Sequence, residues 1–521
     1  MRVTISGVEF WAMFSPLLLA LLALGGLVLD MSVWRQRPRA VGVFVFVGLI
    51  VILFVQFYLH VGRLNFKNSA AVAFQGELFF DVYSVYFNYL FLLAAAAGVL
   101  FSLLHFKDRE EHRAEYYIIL TIATAGMSLM AAAADLLMLF IGLEVMSISI
   151  YLLVAAEKKD PRSGEASIKY LLLGAFASAI MVYGMALVFG MTGEINYRAL
   201  SNTIGGIFDA KGPERFVLML GIMMVLVGMF FKVAAVPFHM WTPDAYEGAP
   251  TPITAIMATG IKAAAFAALL RLAITALSSL WGLGNLYAVF YLLAIATMVL
   301  GNFVAIAQPN LKRMLAYSSI AHAGYLMVGM TAVMASGQFI LIGDEGVAAT
   351  QHAYQASSAI LYYLLVYTLM NLPAFGVVTI LGREKKGGET LEGFAGLAAK
   401  RPALAAVMAV CMLSLAGVPP LAGFTGKFYL FQAAVSNRLY ILAVIGVLAS
   451  VVSAYYYLRV IVVMYMQPEK SPLPATAGFS GAHVASILGA TMVVLLGLFP
   501  QAVLDVINKA FDQGMINISF H

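Results

Sequence analysis

The sequence predicts an all-α integral membrane protein of about fourteen transmembrane helices. Three observations predict it. Of the 521 residues, 62% are apolar and only 11% charged, well outside soluble usage. The mean hydropathy is +0.91. The apolar residues also arrive in runs of about 20 to 25, the length that crosses a hydrocarbon core.

Apolar runs bounded by polar or Pro/Gly clusters place the spans near 8–33, 41–60, 79–104, 114–133, 135–156, 167–190, 216–240, 252–275, 284–307, 313–335, 354–381, 403–435, 438–466 and 482–506. The first run is longer than a signal h-region and has its arginines (Arg35, Arg37 and Arg39) on the far side, so it reads as a retained span. No stretch reads as a separate soluble domain. An even number of spans puts both termini on one side of the bilayer. The alternate loops, among them RQRPR, HFKDREEHR, LKR and GREKKGG, then hold about 18 basic residues against about 8 on the terminal side. By the positive-inside rule those loops face the cytoplasm and the termini face out. The net charge of +5 reads as this loop bias, with the lipid bilayer as partner and no nucleic acid.

Composition also excludes chemistry. With one cysteine, Cys411, the chain cannot build an iron-sulfur cluster, a Cys-rich zinc site or an internal disulfide. It has no Walker A loop and no GxGxxG between a strand and a helix, so no familiar phosphate cradle is present. No histidine pair suits a b-type haem. The expectation is no cofactor and no metal in this chain.

What remains is a small set of charges inside the spans. Five basic residues fall there: Lys232, Lys262, Arg271, Lys427 and Arg459. The two arginines lie near span ends, where a long side chain can snorkel to the interface. The lysines and Glu144, in MLFIGLEVMSISIYLL, lie deeper. Each costs about 2.5 to 3.5 kcal/mol at a helix centre on insertion scales, so such residues are functional by default. Lys427 lies near a break, which leaves snorkelling open for it. His322, among the small residues of SSIAHAGY, fits a relay and a helix-helix hydrogen bond equally well. His239 reads as interfacial beside Trp241, and Asp244 and Glu247 as turn chemistry. Aromatic and Met-rich faces read as packing or lipid contact.

Two spans are broken. Pro237 has no amide hydrogen for the carbonyl of Val233, and Pro419 and Pro420 orphan those of Leu415 and Ala416. Freed carbonyls at membrane depth are tolerated only within protein or beside water. Aligning Val236-Pro237 with Val418-Pro419 gives an offset of 182 residues that carries Glu144 to position 326, near His322. The two breaks fall five spans apart, an odd number, so the units containing them are expected to be inverted, with ion sites near the midplane.

The stretches FKVAAVPFHMWTPDAYEGAPTPITA, KRMLAYSSIAHAGYLMVG and LSLAGVPPLAGFTGKFYLF closely resemble the antiporter-like membrane subunits of respiratory complex I (NADH-quinone oxidoreductase). The resemblance covers most of the chain and is weakest in the first three spans. It implies broken helices 7 and 12 and two inverted five-helix repeats, spans 4–8 and 9–13. Domain 1–521 would then comprise a three-helix segment (1–113), a first repeat (114–275), a second repeat (284–466) and a C-terminal helix (467–521). It also implies that Glu144 pairs with Lys232, that Lys262 is the central relay and that Lys427 is the outer gate. Lysine at 427 resembles subunit N, where subunit M typically has glutamate, and no long lateral helix follows the last span, unlike subunit L.

On this resemblance the chain is a proton-translocating subunit of an NADH:quinone oxidoreductase, a translocase, with Glu144, Lys232, Lys262, His322 and Lys427 transferring protons. NADH, FMN, iron-sulfur clusters and quinone would belong to partner subunits, and the neighbours would be an M-like antiporter subunit and small J-, K- and A-like subunits. The expected location is the bacterial inner membrane, termini periplasmic. Mrp-type cation/proton antiporters and membrane-bound hydrogenases share the fold and supply the alternative.

Overall fold

In the computed structural model, residues 7–34, 37–62, 71–107, 113–210, 212–337, 346–384, 388–469 and 478–510 are described. Arg35 and Lys470, and the loop charges at 108–112 and 385–387, lie outside the described residues. Among the described residues, thirteen helices are long and apolar enough to cross a membrane, and Pro402–Ala416 is a shorter apolar helix. With its continuation Ala422–Ser436 that helix supplies the remaining predicted span.

The helices run α1 (Gly7–Met31), α2 (Pro38–Gly62), α3 (Val82–His105), α4 (Ala114–Ala132), α5 (Leu136–Val154) and α6 (Pro161–Thr192). Next come α7 (Tyr197–Ala210), α8 (Glu214–Val233), α9 (Trp241–Gly248) and α10 (Thr251–Ile274). The second half holds α11 (Gly284–Ile306), α12 (Leu311–Ala335), α13 (Gly346–Glu384), α14 (Leu397–Lys400), α15 (Pro402–Ala416) and α16 (Ala422–Ser436). The chain closes with α17 (Tyr440–Met466), α18 (Gly481–Leu498) and α19 (Gln501–Ala510). A two-stranded antiparallel hairpin, Ala71–Ala73 with Leu78–Phe80, joins α2 to α3.

Helices predominate because hydrocarbon offers no partner for a backbone N–H or C=O. Their starts are written locally. Asp81 and Ser84 form a capping box on α3, Asp135 caps α5 through the Met138 N–H at 2.6 Å, and Asn310 caps α12. Each satisfies donors that a helix start leaves open.

Burial ranks the helices. The apolar windows of α10 and α12 are 100% buried, whereas that of α6 is 28% buried, so α10 and α12 form the axis of the bundle and α6 lies at its edge. Close approach at this axis uses glycine: a Cβ on Gly301 of α11 would stand 2.5 Å from the Ala321 backbone nitrogen of α12, the small-residue contact that lets membrane helices touch.

Both predicted breaks are present. Helix α8 ends at Ala234 with φ 61° and α15 ends at Gly417 with φ 89°, the left-handed conformation that closes a helix. These residues are 183 apart, one more than the Val-Pro alignment gave. Past the first break the chain forms the short helix α9 where the sequence read a turn, so Asp244 and Glu247 sit on a helix. The last predicted span is also two elements: α18 stops at Leu498 and a separate α19 follows Pro500.

Other features recur in the two halves. Isolated bridges tie the caps of α5 and α12 to the loops beyond the next helix, Asp135 with Asn196 and Asn310 with Thr390. Arg271 of α10 donates to the carbonyl of Ala131 at the end of α4, and Arg459 of α17 donates to that of Ile306 at the end of α11.

Candidate functional site

Lys232 lies in the last turn of α8 and is 3% exposed. Its ammonium donates to the Tyr151 hydroxyl of α5 at 3.1 Å and stands 5.2 and 5.6 Å from the ring centres of Tyr151 and Tyr170, where the π faces attract a cation. Tyr170 is held in place by Trp241, stacked at 4.2 Å. The break positions Trp241: its indole donates to the Phe231 carbonyl at 3.0 Å, and Ala235 N–H donates to that of Phe230. Residues beyond the end of α8 thus satisfy carbonyls of its last turn.

Glu144 precedes Tyr151 by two turns of α5. Its Oε1 accepts from the Ser178 hydroxyl of α6 at 2.5 Å. The implied Glu144–Lys232 ion pair is not formed here, because Tyr151 occupies the ammonium and Ser178 the carboxylate. Glu144 is also less enclosed than expected of an interior charge. It is half-buried and shares a helix face with the exposed Ile141 and Ile148.

Lys262 begins where α10 leaves a π-helical segment, Met257–Ile261, a local widening common at functional sites. It is 2% exposed and donates to the Ser319 carbonyl of α12 at 2.5 Å. One turn on, His322 has both ring nitrogens engaged: Nδ1 with the Tyr363 hydroxyl at 2.6 Å and Nε2 with that of Tyr457 at 3.0 Å. Tyr457 also bonds the Ser318 hydroxyl.

Lys427 of α16 is 4% exposed. Its ammonium donates to the carbonyls of Leu415 at 2.8 Å and Ala416 at 3.2 Å and to the Ser450 hydroxyl at 2.8 Å. These are the two carbonyls that Pro419 and Pro420 orphan, so the lysine closes the broken helix itself. Snorkelling is overturned for Lys427.

It is overturned for Arg271 as well. Arg271 is 2% exposed and grips Asp81 with two bonds, 2.7 and 3.0 Å, a fork geometry only guanidinium supplies. Burial alone would raise the Asp81 carboxyl, but the Arg271 charge and hydrogen bonds hold it below the ordinary carboxylate value. Arg459 stays half-buried, consistent with a span end.

At the other ends of these helices lies a polar girdle that the sequence left as loops. Lys312 is 2% exposed and bonds the Ala249 carbonyl at 2.7 Å and Glu389 at 3.2 Å. Arg313 bridges Asp244 and Glu247, both at 2.9 Å, and Lys169 joins Asp244. Burial pushes Glu389 and Asp244 up, but their cationic and hydrogen-bond partners outweigh it and hold both low. A cavity of about 150 Å³ opens beside Lys169, Asp244 and Glu247. His239 lies half-buried between α8 and α9.

The structure thus gathers Lys262, His322 and Lys427 along α10, α12 and α16, and sets Lys232 and Glu144 on the α5–α8 side. Sequence reasoning missed Asp81, Lys312 and the tyrosines on His322. Only Asp81 carried a local signal, the Asp-x-x-Ser capping spacing.

The family model described as NADH:quinone oxidoreductase/Mrp antiporter, TM, matches residues 133–453. NADH-quinone oxidoreductase subunit N of Trichlorobacter lovleyi is 42% identical over 438 residues, 84% of this chain and 85% of that protein. The chain belongs to the antiporter-like subunit N family of NADH-quinone oxidoreductase. As a subunit N family member it is part of a translocase, and no redox centre is evident among its described residues. Respiratory complex I from Thermus thermophilus contains a chain 33% identical to it, with a TM-score of 0.75 over 94% of this chain and 98% of that one. The Mrp complex from Dietzia sp. DQ12-45-1b contains one with a TM-score of 0.79 at 19% identity, over 96% and 97%, which shows a shared fold. The family assignment thus agrees with the multi-pass architecture and with charges buried inside it.

Proposed function

We propose that this subunit moves protons across the membrane through Glu144, Lys232, Lys262, His322 and Lys427, driven by quinone reduction in neighbouring subunits. The observation that carries the reading is the enclosure of three lysines, each at most 4% exposed, none with a carboxylate within ion-pair distance among the described residues. A structural lysine is retained for a counter-ion; these are held by hydroxyls, carbonyls and rings. A desolvated lysine held this way exchanges its proton readily.

Lys232 is the loading group, able to turn from Tyr151 toward Glu144. Lys262 is the central relay, His322 passes the proton on and Lys427 releases it. The polar cavity beside Asp244 supplies water on the cytoplasmic side. The recurring bridges, left-handed helix ends and Arg-carbonyl bonds support two inverted five-helix units. NADH, FMN, iron-sulfur clusters and quinone belong to partners, with an M-like subunit and small J-, K- and A-like subunits as membrane neighbours. The location is the bacterial inner membrane with both termini periplasmic. The Mrp-type reading rests on the shared fold and the joint description of the family model and is the weaker, since the curated relative reported above is a subunit N.

The test is Lys232→Met in the assembled enzyme in sealed vesicles. Proton uptake per quinone reduced should fall while quinone reduction continues. Pumping at the full ratio would end the proposal.

A further inference from the structure

Lys262 and Lys427 do not touch. What lies between them is not apolar packing but a run of hydrogen-bonded side chains from three helices. Ser318, on α12 beside the residue that Lys262 bonds, meets the Tyr457 hydroxyl of α17. Tyr457 meets His322 Nε2 at 3.0 Å, and His322 Nδ1 meets the Tyr363 hydroxyl of α13 at 2.6 Å. The Tyr363 ring lies against Gly426, where a Cβ would stand 2.8 Å from it. Gly426 immediately precedes Lys427. All four groups are essentially sealed from the surface, His322 at 1% and the others at 0% exposure.

We infer that Tyr457 and Tyr363 are relay residues, carrying the proton into and out of His322 on its way from Lys262 to Lys427. The inference rests on the proton-conducting reading above and adds two groups to it. A hydroxyl is both donor and acceptor, and a neutral imidazole is one at each nitrogen. That makes the run Ser318–Tyr457–His322–Tyr363 continuous for a proton. A proton arriving through Ser318 binds the Tyr457 oxygen as the Tyr457 hydroxyl proton passes to Nε2. The Nδ1 proton passes to the Tyr363 oxygen as the Tyr363 proton leaves toward Lys427. One proton enters and one leaves, and each group ends neutral. The relay requires water to span its two ends, from Lys262 to Ser318 and from Tyr363 to Lys427. The imidazole and hydroxyls then reorient and the run is reset.

A packing role makes a different prediction, because Tyr362 is an internal control. It neighbours Tyr363 on the same helix and is 0% exposed, yet its hydroxyl bonds Thr425 and the Leu496 carbonyl, both at 3.0 Å, and not His322. If the tyrosines only fill space and satisfy neighbours, Tyr362→Phe and Tyr363→Phe should behave alike.

The experiment uses the assembled enzyme in sealed vesicles carrying Tyr457→Phe, Tyr363→Phe, Tyr362→Phe or Lys262→Met. It reads protons moved per quinone reduced alongside the yield of intact complex. Tyr457→Phe and Tyr363→Phe should each lower the protons moved per quinone reduced to the level of Lys262→Met. Tyr362→Phe should pump normally. Full pumping by Tyr457→Phe and Tyr363→Phe, with pumping lost in Lys262→Met, overturns the tyrosine relay and leaves the broader reading standing. Equal losses in Tyr362→Phe and Tyr363→Phe also overturn the relay. Full pumping by Lys262→Met overturns the broader reading itself. Should Tyr457→Phe fail to assemble, Tyr363→Phe at the opposite nitrogen decides the matter.

Discussion

The two broken helices solve the same problem with their lysines in opposite places. At the first break the lysine precedes the proline: Lys232 ends α8, and the freed backbone is satisfied by others, chiefly the Trp241 indole on the Phe231 carbonyl. At the second the lysine follows the prolines: Lys427 returns to cap Leu415 and Ala416. The difference separates two duties that one residue can hold. Lys232 is free of backbone work and rests on aromatic faces and one phenol, an arrangement it can leave at little cost. Lys427 is part of its helix's own closure, so moving its proton changes the bonding of the break itself. The arginines differ in parallel. Arg271 is locked to Asp81, whereas the hydrogen-bond partner of Arg459 among the described residues is the Ile306 carbonyl.

Substitutions can break this contrast, and the largest effect is expected at the arginine of the first half. Asp81→Ala strands the Arg271 cation inside the bundle and should cost about 3 to 5 kcal/mol, the penalty for removing one partner of a buried pair. The yield and melting temperature of the complex should fall sharply, while Arg459→Ala changes them little. Equal effects would erase the distinction.

Next comes Lys427→Met, which removes both the ammonium and the cap. It should lower stability by about 1 to 3 kcal/mol for polar groups left unsatisfied, in addition to lowering the protons moved per quinone reduced. Lys232→Met should lower the same ratio with a smaller stability change, since no backbone carbonyl among its described partners depends on it. Thermal unfolding of the two variants side by side measures the gap; a larger loss for Lys232→Met would reverse the assignment of duties.

The pH dependence sharpens the comparison further. The carboxyls of Asp81, Asp244 and Glu389 are held below their ordinary values in the folded protein. Their stabilisation is therefore complete above the ordinary carboxylate range and is lost as pH falls through the lowered values. Melting temperature should be flat near neutrality and drop on acidification. In Asp81→Asn, part of that drop should vanish; an unchanged acid limb would remove Asp81 from the account.

The smallest effect is expected for Tyr151→Phe, which removes one hydrogen bond to Lys232 but keeps both rings. It should cost about 1 kcal/mol and leave the fold intact.

The sequence disclosed what hydrocarbon makes conspicuous. Glu144, Lys232, Lys262 and Lys427 stand out because a charge in an apolar run has no cheap explanation, and Pro237, Pro419 and Pro420 because they must interrupt a helix. Other residues are silent for an equally physical reason. Asp81 at a span edge reads as an ordinary cap until Arg271 is seen across 190 residues of chain. Lys312 reads as a loop cation because its partner Glu389 comes from another loop. Tyr363 and Tyr457 read as packing, because whether a phenol bonds an imidazole depends on which helices meet. Glu144 shows the converse: its charge was legible, but its half-buried position beside exposed isoleucines was not.

The proposed route takes protons across this subunit at its sealed lysines. The most direct measurement is the number of protons moved per quinone reduced by the vesicle-bound enzyme carrying Lys262→Met, since this residue lies between the two halves on a fully buried helix. The account predicts a lowered ratio with quinone reduction still running. An unchanged ratio at full turnover would contradict it.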